Sequence, residues 1–123
     1  MAKILTIEDD VQLRETLADI LEVFGHDVSQ AENGKQGIDV FCKVVPDLVL
    51  CDINMPHMDG FEVLEKLKAL SAGPEFPPFI YLTAKTEEIN IQKAKDLGAS
   101  DFVPKPYLIE DLLRLIDLRL KLI

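Results

Sequence analysis

Four apolar stretches of this chain each run into polar residues that could carry out chemistry. In chain order, these polar residues are Glu8 with Asp9, then Asp52, Thr83 and Lys105. Carboxylates brought together repel one another and do not all stay ionised unless a cation joins them, and oxygen ligands of this kind suit Mg²⁺. A lysine and a hydroxyl are instead groups that bind an anion. A cation site, a carboxylate nucleophile and anion-binding groups together match the formation of an aspartyl phosphate.

The run that ends at Asp52 predicts where this chemistry would lie. Residues 48–51 are all apolar and turn residues follow them, which is typical of a strand buried on both faces of a parallel sheet. Asp52 would then stand at the carboxyl end of a central strand, where open α/β sheets bind ligands. Because the carboxyl ends of parallel strands share one edge, the other polar residues are expected beside it.

Strand and helix patterns alternate five times along the sequence. Apolar runs predict strands at residues 3–7, 28–31, 48–51, 79–82 and from 102 to Lys105-Pro106. Apolar residues at three- and four-residue spacing predict a helix after each strand. We interpret Asn33-Gly34 as a turn, and Pro104 predicts an edge position for the fifth strand because proline donates no ladder hydrogen bond. The alternation indicates one α/β domain, residues 1–123, with helices on both faces of a parallel sheet.

Composition excludes several classes of function. The chain has 123 residues, of which 48% are hydrophobic and 28% charged, so it can bury a core. Its net charge of -9 argues against nucleic-acid binding by this domain alone, since that needs a basic surface. No apolar run is long enough to span a membrane, and the two cysteines form no CxxC motif. With no signal-peptide pattern, we expect a cytoplasmic protein with reduced thiols and no membrane partner.

The last helix has apolar residues on two sides. The first stripe comprises Ile109, Leu112, Leu113, Ile116 and Leu120, and the second comprises Leu115, Leu118 and Leu122. A helix apolar on two sides predicts a homodimer or another partner, or a helix that continues in a longer protein. The alternative is a few scattered exposed leucines. In a two-fold dimer, Asp96 and Asp101 could pair with Arg114 and Arg119 across the interface.

A family resemblance rests on these motifs taken together. Glu8-Asp9, Asp52, Thr83-Ala84 and Lys105-Pro106 resemble the signature of the response-regulator receiver domains of two-component signalling, and Met55-Pro56 with Asp59-Gly60 extend it. The resemblance covers the whole chain. It implies a flavodoxin-like, doubly wound sheet of five parallel strands in the order 2-1-3-4-5, with five helices.

The resemblance also implies a metal site and a phosphoacceptor. Asp52 would accept a phosphoryl group from a sensor histidine kinase or a phosphotransfer protein. Glu8, Asp9, Asp52 and the backbone carbonyl of Asn54 would hold Mg²⁺, with Glu8 binding directly or through water. The chain would then carry out self-phosphorylation and autodephosphorylation, but it would not be an enzyme acting on an external substrate.

A switch is the third implication of the resemblance. Thr83 and Lys105 would bind phosphoryl oxygens, and Lys105-Pro106 would be a cis peptide. Thr83 and Phe102 would be the switch residues, which pass the change to a surface made by the fourth helix, the fifth strand and the last helix. As a strand residue, Phe102 is also expected in the core, and the two roles are compatible.

Two rival functions are weighed against a receiver domain. Phosphohydrolases with an aspartate nucleophile carry a D-x-D motif there, and the second aspartate of the motif is the general acid and base. Asn54 stands in that place here and cannot transfer the proton. An unphosphorylated interaction module would be expected to lack part of the acidic set or Lys105, and this sequence has all of them.

Overall fold

The computed structural model describes residues 2–71, 75–84 and 88–120 of the chain. Strands and helices alternate along them, and each strand is followed by a helix. The elements are β1 (Lys3–Ile7), α1 (Val11–Val23), β2 (Asp27–Ala31), α2 (Gly34–Val44), β3 (Leu48–Cys51), α3 (Gly60–Leu70), β4 (Phe79–Thr83), α4 (Glu88–Asp96), β5 (Asp101–Pro104) and α5 (Ile109–Arg119).

All strand pairs are parallel and the sheet order is β2-β1-β3-β4-β5. The flavodoxin-like order predicted from the sequence is therefore confirmed. Every residue of β3 and β4 is buried, as expected for central strands covered on both faces. One core cluster packs α2, α3 and α4 on one face of the sheet, and a second packs α1 and α5 on the other.

Parallel register brings the strand ends to one edge of the sheet. Ile7 pairs with Cys51, and Cys51 pairs with Tyr81, so the residues after β1 and β3 are neighbours. On the other side of β4, Thr83 pairs with Pro104. The chain therefore leaves β1, β3, β4 and β5 at one carboxyl edge, where the polar residues singled out by the sequence follow.

Two local predictions differ from the structure. Asn33 is the N-cap of α2 rather than part of a turn, because its side-chain oxygen accepts a hydrogen bond from the backbone N–H of Gln36. The fifth strand ends at Pro104 and does not reach Lys105-Pro106. The edge position that Pro104 predicted is confirmed, since β5 pairs only with β4 among the described strands.

The last helix has one buried side and one partly exposed side. Leu112 and Ile116 are buried between α5 and the sheet, and Leu115 is half-buried against the same cluster. Leu118 is 55% exposed, whereas Leu122 lies outside the described residues. Of the described leucines in the second stripe, Leu118 is thus the exposed one, whereas Leu115 packs against the core. No helix among the described residues is both long enough and apolar enough to cross a bilayer.

One pair of charges that could meet across a dimer is paired within one chain. Arg119 donates to Asp101 from two nitrogens of its guanidinium, at 2.5 Å from Nε to Oδ2 and 3.0 Å from Nη2 to Oδ1. Arg119 also donates to the carbonyl of Ser100. Because α5 packs beside β5, Arg119 lies within reach of the start of that strand, and pairing of these charges across a dimer stays a prediction.

Candidate functional site

Backbone hydrogen bonds fix the strand ends that carry the polar residues. The N–H of Glu8 donates to the carbonyl of Ala31 at 3.0 Å, and the N–H of Asp52 donates to the carbonyl of Ile7 at 3.0 Å. The N–H of Lys105 donates to the carbonyl of Thr83 at 2.9 Å. Each residue therefore continues the sheet by one step, so its side chain leaves a rigid backbone at a defined place.

Three carboxylates converge at this edge. Glu8, Asp9 and Asp52 each offer an oxygen, and the three oxygens lie within 4.8 Å of one another. Asp52 is buried, with 9% of its surface exposed, whereas Asp9 is exposed to solvent. Like charges at this separation repel, and a hard cation with oxygen ligands would relieve the repulsion. The chemistry and spacing of these donors thus fit a divalent ion such as Mg²⁺.

Lys105 lies between two of these carboxylates. Its ammonium nitrogen is 2.5 Å from Oε1 of Glu8 and 3.6 Å from Oδ2 of Asp52. The side chains of all three residues are largely buried, so solvent screens their interaction only weakly. The structure therefore brings the predicted lysine and the predicted phosphoacceptor to one place, although they are 53 positions apart in the sequence.

Burial and charge shift the protonation of this group. The pKa of Glu8 is raised from 4.5 to about 7, chiefly by burial and also by the charge of Asp52, while the hydrogen bond and charge of Lys105 act in the opposite direction. Burial alone would lower the pKa of Lys105, but its hydrogen bond to Glu8 and the charge of Asp52 raise the pKa above its usual value. Lys105 is thus a permanent cation here, and Glu8 holds a negative charge only at an energetic cost.

The loop after β3 begins with a turn around Asp52. The backbone N–H of Asn54 points to Oδ1 of Asp52 at 3.4 Å, a long hydrogen bond. At the other end of the loop, the N–H of Gly60 donates to the carbonyl of Ile53 at 2.8 Å. Asn54 itself is exposed, so its carbonyl belongs to a loop at the surface beside the carboxylates.

Thr83 and Phe102 lie on the neighbouring strands β4 and β5. Thr83 is fully buried at the end of β4, and Phe102 is half-buried against the core cluster that includes α4. In the register of β4 with β5, Phe102 pairs with Tyr81, two residues before Thr83. The peptide bond between Lys105 and Pro106 is cis. The structure therefore groups Thr83 with the strand end that leads to Lys105.

Sequence reasoning missed several residues that support the site. Arg14 on α1 donates from Nη1 to the carbonyl of Glu8 at 2.8 Å and from Nε to Gln30. Nothing in the sequence pointed Arg14 toward β1. By contrast, the position of Asp10 just before an apolar helical run predicts that it caps α1, and its side chain does accept a hydrogen bond from the N–H of Leu13.

Two further features lie near the site, a buried hydroxyl and a cleft. The hydroxyl of Tyr81, which the sequence places only as a strand residue, donates to the carbonyl of Gly60 at 2.6 Å. A cleft of about 680 Å³ lies between α1 and residues 105–109, and Asp52 and Lys105 are among the residues that line it. Its walls are largely apolar, with Leu17 and Leu82 among them.

Comparison with known proteins identifies the same pattern. A family model described as the response regulator receiver domain matches residues 4–117. The response regulator MprA of Mycolicibacterium vanbaalenii is 36% identical over 111 residues, which are 90% of this chain and 47% of that protein. The chain thus spans about half the length of the curated relatives it matches. These matches do not favour a phosphohydrolase or an unphosphorylated module.

Solved structures agree with that result. The chemotaxis protein CheY4 of Vibrio cholerae superposes with a TM-score of 0.88 at 31% identity, covering 95% of this chain and 97% of that one. A CheY-like receiver domain protein of Methanospirillum hungatei superposes with a TM-score of 0.91 at 30% identity, covering 98% of this chain and 94% of that one. The likeness therefore extends over nearly the whole described fold.

Proposed function

This chain belongs to the response regulator receiver domains, and from that we propose that Asp52 accepts a phosphoryl group in a Mg²⁺-dependent reaction. The donor would be a phosphohistidine on a sensor histidine kinase or a phosphotransfer protein. An oxygen of Asp52 would bond to phosphorus while the N–P bond of the donor breaks, and the bonding pair would stay on the imidazole. One observation supports this proposal above the others, namely the ammonium of Lys105 between Glu8 and Asp52.

The metal ligands in this proposal are Glu8, Asp9, Asp52 and the carbonyl of Asn54. The clustering of the three carboxylate oxygens within 4.8 Å supports the assignment. A bound Mg²⁺ would supply positive charge beside the oxygens on which negative charge develops during transfer. Glu8 and Asp9 hold their oxygens toward Asp52 in advance, which spares the site a rearrangement when the donor arrives.

Lys105 is proposed to exchange partners during the reaction. In the structure its ammonium pairs with Glu8 and lies 3.6 Å from Asp52. A phosphoryl group on Asp52 brings further negative oxygens into that space, so Lys105 is attracted toward them. Thr83 would donate its hydroxyl to another phosphoryl oxygen, because it ends the strand next to β3.

The signal is proposed to leave through α4, β5 and α5. Attraction of Thr83 to the phosphoryl group would vacate space beside the half-buried ring of Phe102, which would turn inward. The equilibrium shifts only as far as the phosphoryl group favours the inward arrangement. This function is that of a signalling domain rather than a catalyst, with self-phosphorylation and autodephosphorylation as its only chemistry.

The partners and location follow as proposals from the same assignment. The kinase or phosphotransfer protein is the donor, and a second copy of the chain is a candidate partner through the exposed part of α5. The acidic net charge speaks against direct nucleic-acid binding by this domain. A cytoplasmic location suits a domain that receives phosphoryl groups from a kinase. The curated relatives are about twice as long as this chain, and any activity of their unmatched half is assigned to those proteins and not to this chain.

Intact mass spectrometry tests the phosphoacceptor. Incubated with Mg²⁺ and a small phosphodonor such as acetyl phosphate, the parent protein should gain the mass of one phosphoryl group, and Asp52→Asn should gain none. Asp59→Asn is the matched control, since it removes one loop carboxylate but keeps a residue able to cap α3. Stoichiometric acyl-phosphate in Asp52→Asn would assign the nucleophile elsewhere.

A further inference from the structure

We propose that Tyr81 is a positioning residue for the metal-binding loop, because its buried hydroxyl anchors the start of α3 and so fixes the segment from Asp52 to Gly60. The inference rests on the proposed function, since it assigns Tyr81 a part in presenting the carbonyl of Asn54 to Mg²⁺. Tyr81 contacts neither the metal nor the phosphoryl group in this scheme. It acts through Gly60.

The Tyr81 hydroxyl makes a directed contact between two elements. It donates to the carbonyl of Gly60, the first residue of α3, at 2.6 Å. Both residues are buried, and Tyr81 has no exposed surface. Its ring meets Phe79 at 5.1 Å and Phe61 at 5.6 Å, in edge-to-face geometry. Because these rings fix the phenol, the hydroxyl can hold α3 at a set distance from β4.

Gly60 transmits that position directly to the residues around Asp52. Its N–H donates to the carbonyl of Ile53 at 2.8 Å. A Cβ on Gly60 would lie 2.4 Å from the carbonyl oxygen of Asp52 and 2.8 Å from Cα of Ile53, so the two backbones are already in contact. A shift of α3 away from β4 would therefore pull Ile53 with it, and Asn54 is the next residue along the chain.

Beyond Asp52, whose N–H donates to β1, the other described backbone hydrogen bonds of the loop do not attach it to the sheet. The N–H of Met55 donates to Ile53, and the N–H of Met58 donates to Pro56, so both bonds are internal to the loop. The contact of Asn54 with Asp52 is long, at 3.4 Å. Of the described contacts, the one from Tyr81 to Gly60 is thus the short polar link between the far end of this loop and a central strand.

Packing alone does not call for a hydroxyl at this position. A phenylalanine would keep both ring contacts and would lose only the hydrogen bond to Gly60. A merely structural role predicts that such a change lowers stability and leaves Mg²⁺ affinity alone. A positioning role predicts that Mg²⁺ affinity falls, while phosphorylation at saturating Mg²⁺ stays close to that of the parent, because bound metal restores the loop.

The test compares Tyr81→Phe with Ile80→Val by titration calorimetry with MgCl₂ and by melting temperature. Ile80 is buried on the opposite face of the same strand, so its shortening lowers stability without touching α3. Tyr81→Phe should weaken Mg²⁺ binding by about three- to ten-fold, as expected for one lost hydrogen bond. Ile80→Val should lower the melting temperature and keep the Mg²⁺ affinity of the parent.

A second measurement needs no variant and covers the case in which Tyr81→Phe does not fold. In the parent protein labelled with ¹³C, the carbonyl resonance of Gly60 should shift during a Mg²⁺ titration with the same midpoint as that of Asn54. Equal Mg²⁺ affinity in Tyr81→Phe and Ile80→Val, or a Gly60 carbonyl that does not respond, overturns the role of Tyr81. Failure of the parent to accept a phosphoryl group would instead overturn the proposed function, so the two failures are distinct.

Discussion

The ammonium of Lys105 forms a 2.5 Å ion pair with Glu8. Asp52 is the more distant partner, at 3.6 Å from the same nitrogen. In the metal-free domain the lysine therefore offsets part of the negative charge that a cation would otherwise balance. The proposed Mg²⁺ binding and phosphorylation would both change the charge around Lys105, so its ion pairs would depend on the state of the site.

Lys105→Ala should keep phosphorylation of Asp52 and lose the effect of phosphorylation on partner binding. The carboxylates remain, so Asp52 should still gain a phosphoryl group in the presence of Mg²⁺. Phosphorylation of the parent should change its affinity for a partner, typically by about five- to 150-fold for coupled sites. In Lys105→Ala this change should disappear, because no ammonium moves toward the new negative charge. Pull-down or interferometry with a partner kinase measures it, with the exposed Lys35→Ala on α2 as control. Partner binding that still responds to phosphorylation in Lys105→Ala would contradict the role.

Glu8→Gln should remove a pH dependence of stability in metal-free buffer. Burial raises the pKa of Glu8 from 4.5 to about 7, so the folded protein binds more protons than the unfolded chain between these values. The stability that this group contributes is complete below about pH 4.5 and is lost as pH rises through about 7. Between acid and neutral pH, the free energy of unfolding of Glu8→Gln should therefore rise by about 2 kcal/mol relative to that of the parent.

Urea unfolding in chelator at several pH values measures that difference. Glu62→Gln is the matched control, since it has the same change of side chain in the capping box of α3, away from the cluster. A difference between Glu8→Gln and the parent that stays constant from about pH 5 to pH 8 would show that Glu8 is not held neutral by its surroundings.

Asp9→Ala should weaken Mg²⁺ binding and raise the stability of the metal-free protein. Removal of one carboxylate from a cluster within 4.8 Å relieves repulsion, so the metal-free protein should melt at a slightly higher temperature. Asp9 is exposed, which keeps the gain below about 1 kcal/mol. Mg²⁺ affinity should fall by about ten-fold or more.

Calorimetry with and without Mg²⁺ checks both halves of this prediction. Asp10→Asn removes the same charge one residue later but keeps a side chain able to cap α1. It should have little effect on Mg²⁺ affinity. A metal-free melting temperature that drops clearly in Asp9→Ala would argue against a strained acidic cluster.

The sheet and the meeting of the strand-end residues could be predicted from the sequence. The apolar runs before Glu8 and Asp52 each have the length of a buried strand, a shorter run leads to Lys105, and parallel strands share one carboxyl edge. Local patterns and one rule of topology are enough for this much. The carboxylate that Lys105 binds could not be predicted, because it depends on the side-chain torsions of residues 97 positions apart.

Other contacts were out of reach for the same physical reason. Tyr81 has the pattern of an apolar strand residue, and its hydroxyl partner at Gly60 emerges only when α3 packs on β4. Arg119 was assigned to a dimer contact, although the packing of α5 beside β5 gives it Asp101 in the same chain. The partners of long polar side chains depend on how the folded elements pack, so sequence spacing does not determine these partners.

The exposed part of α5 can be tested at one leucine of its second stripe. Leu115 is half-buried against the core, so a glutamate there would destabilise the fold. Leu118→Glu alone is the cleaner test because that side chain is 55% exposed. If the output surface includes α5, this variant should accept phosphoryl normally and lose phosphorylation-dependent self-association by about ten-fold or more.

Sedimentation of the phosphorylated protein decides whether Leu118 belongs to that surface. Leu70→Glu on α3 is the matched control, since Leu70 is 63% exposed and lies on the other face of the sheet. The intrachain pair of Arg119 with Asp101 should survive in both variants, because neither change touches it. Self-association that is reduced equally by Leu70→Glu would indicate a general effect of surface charge, and association unchanged in Leu118→Glu would move the output surface away from α5.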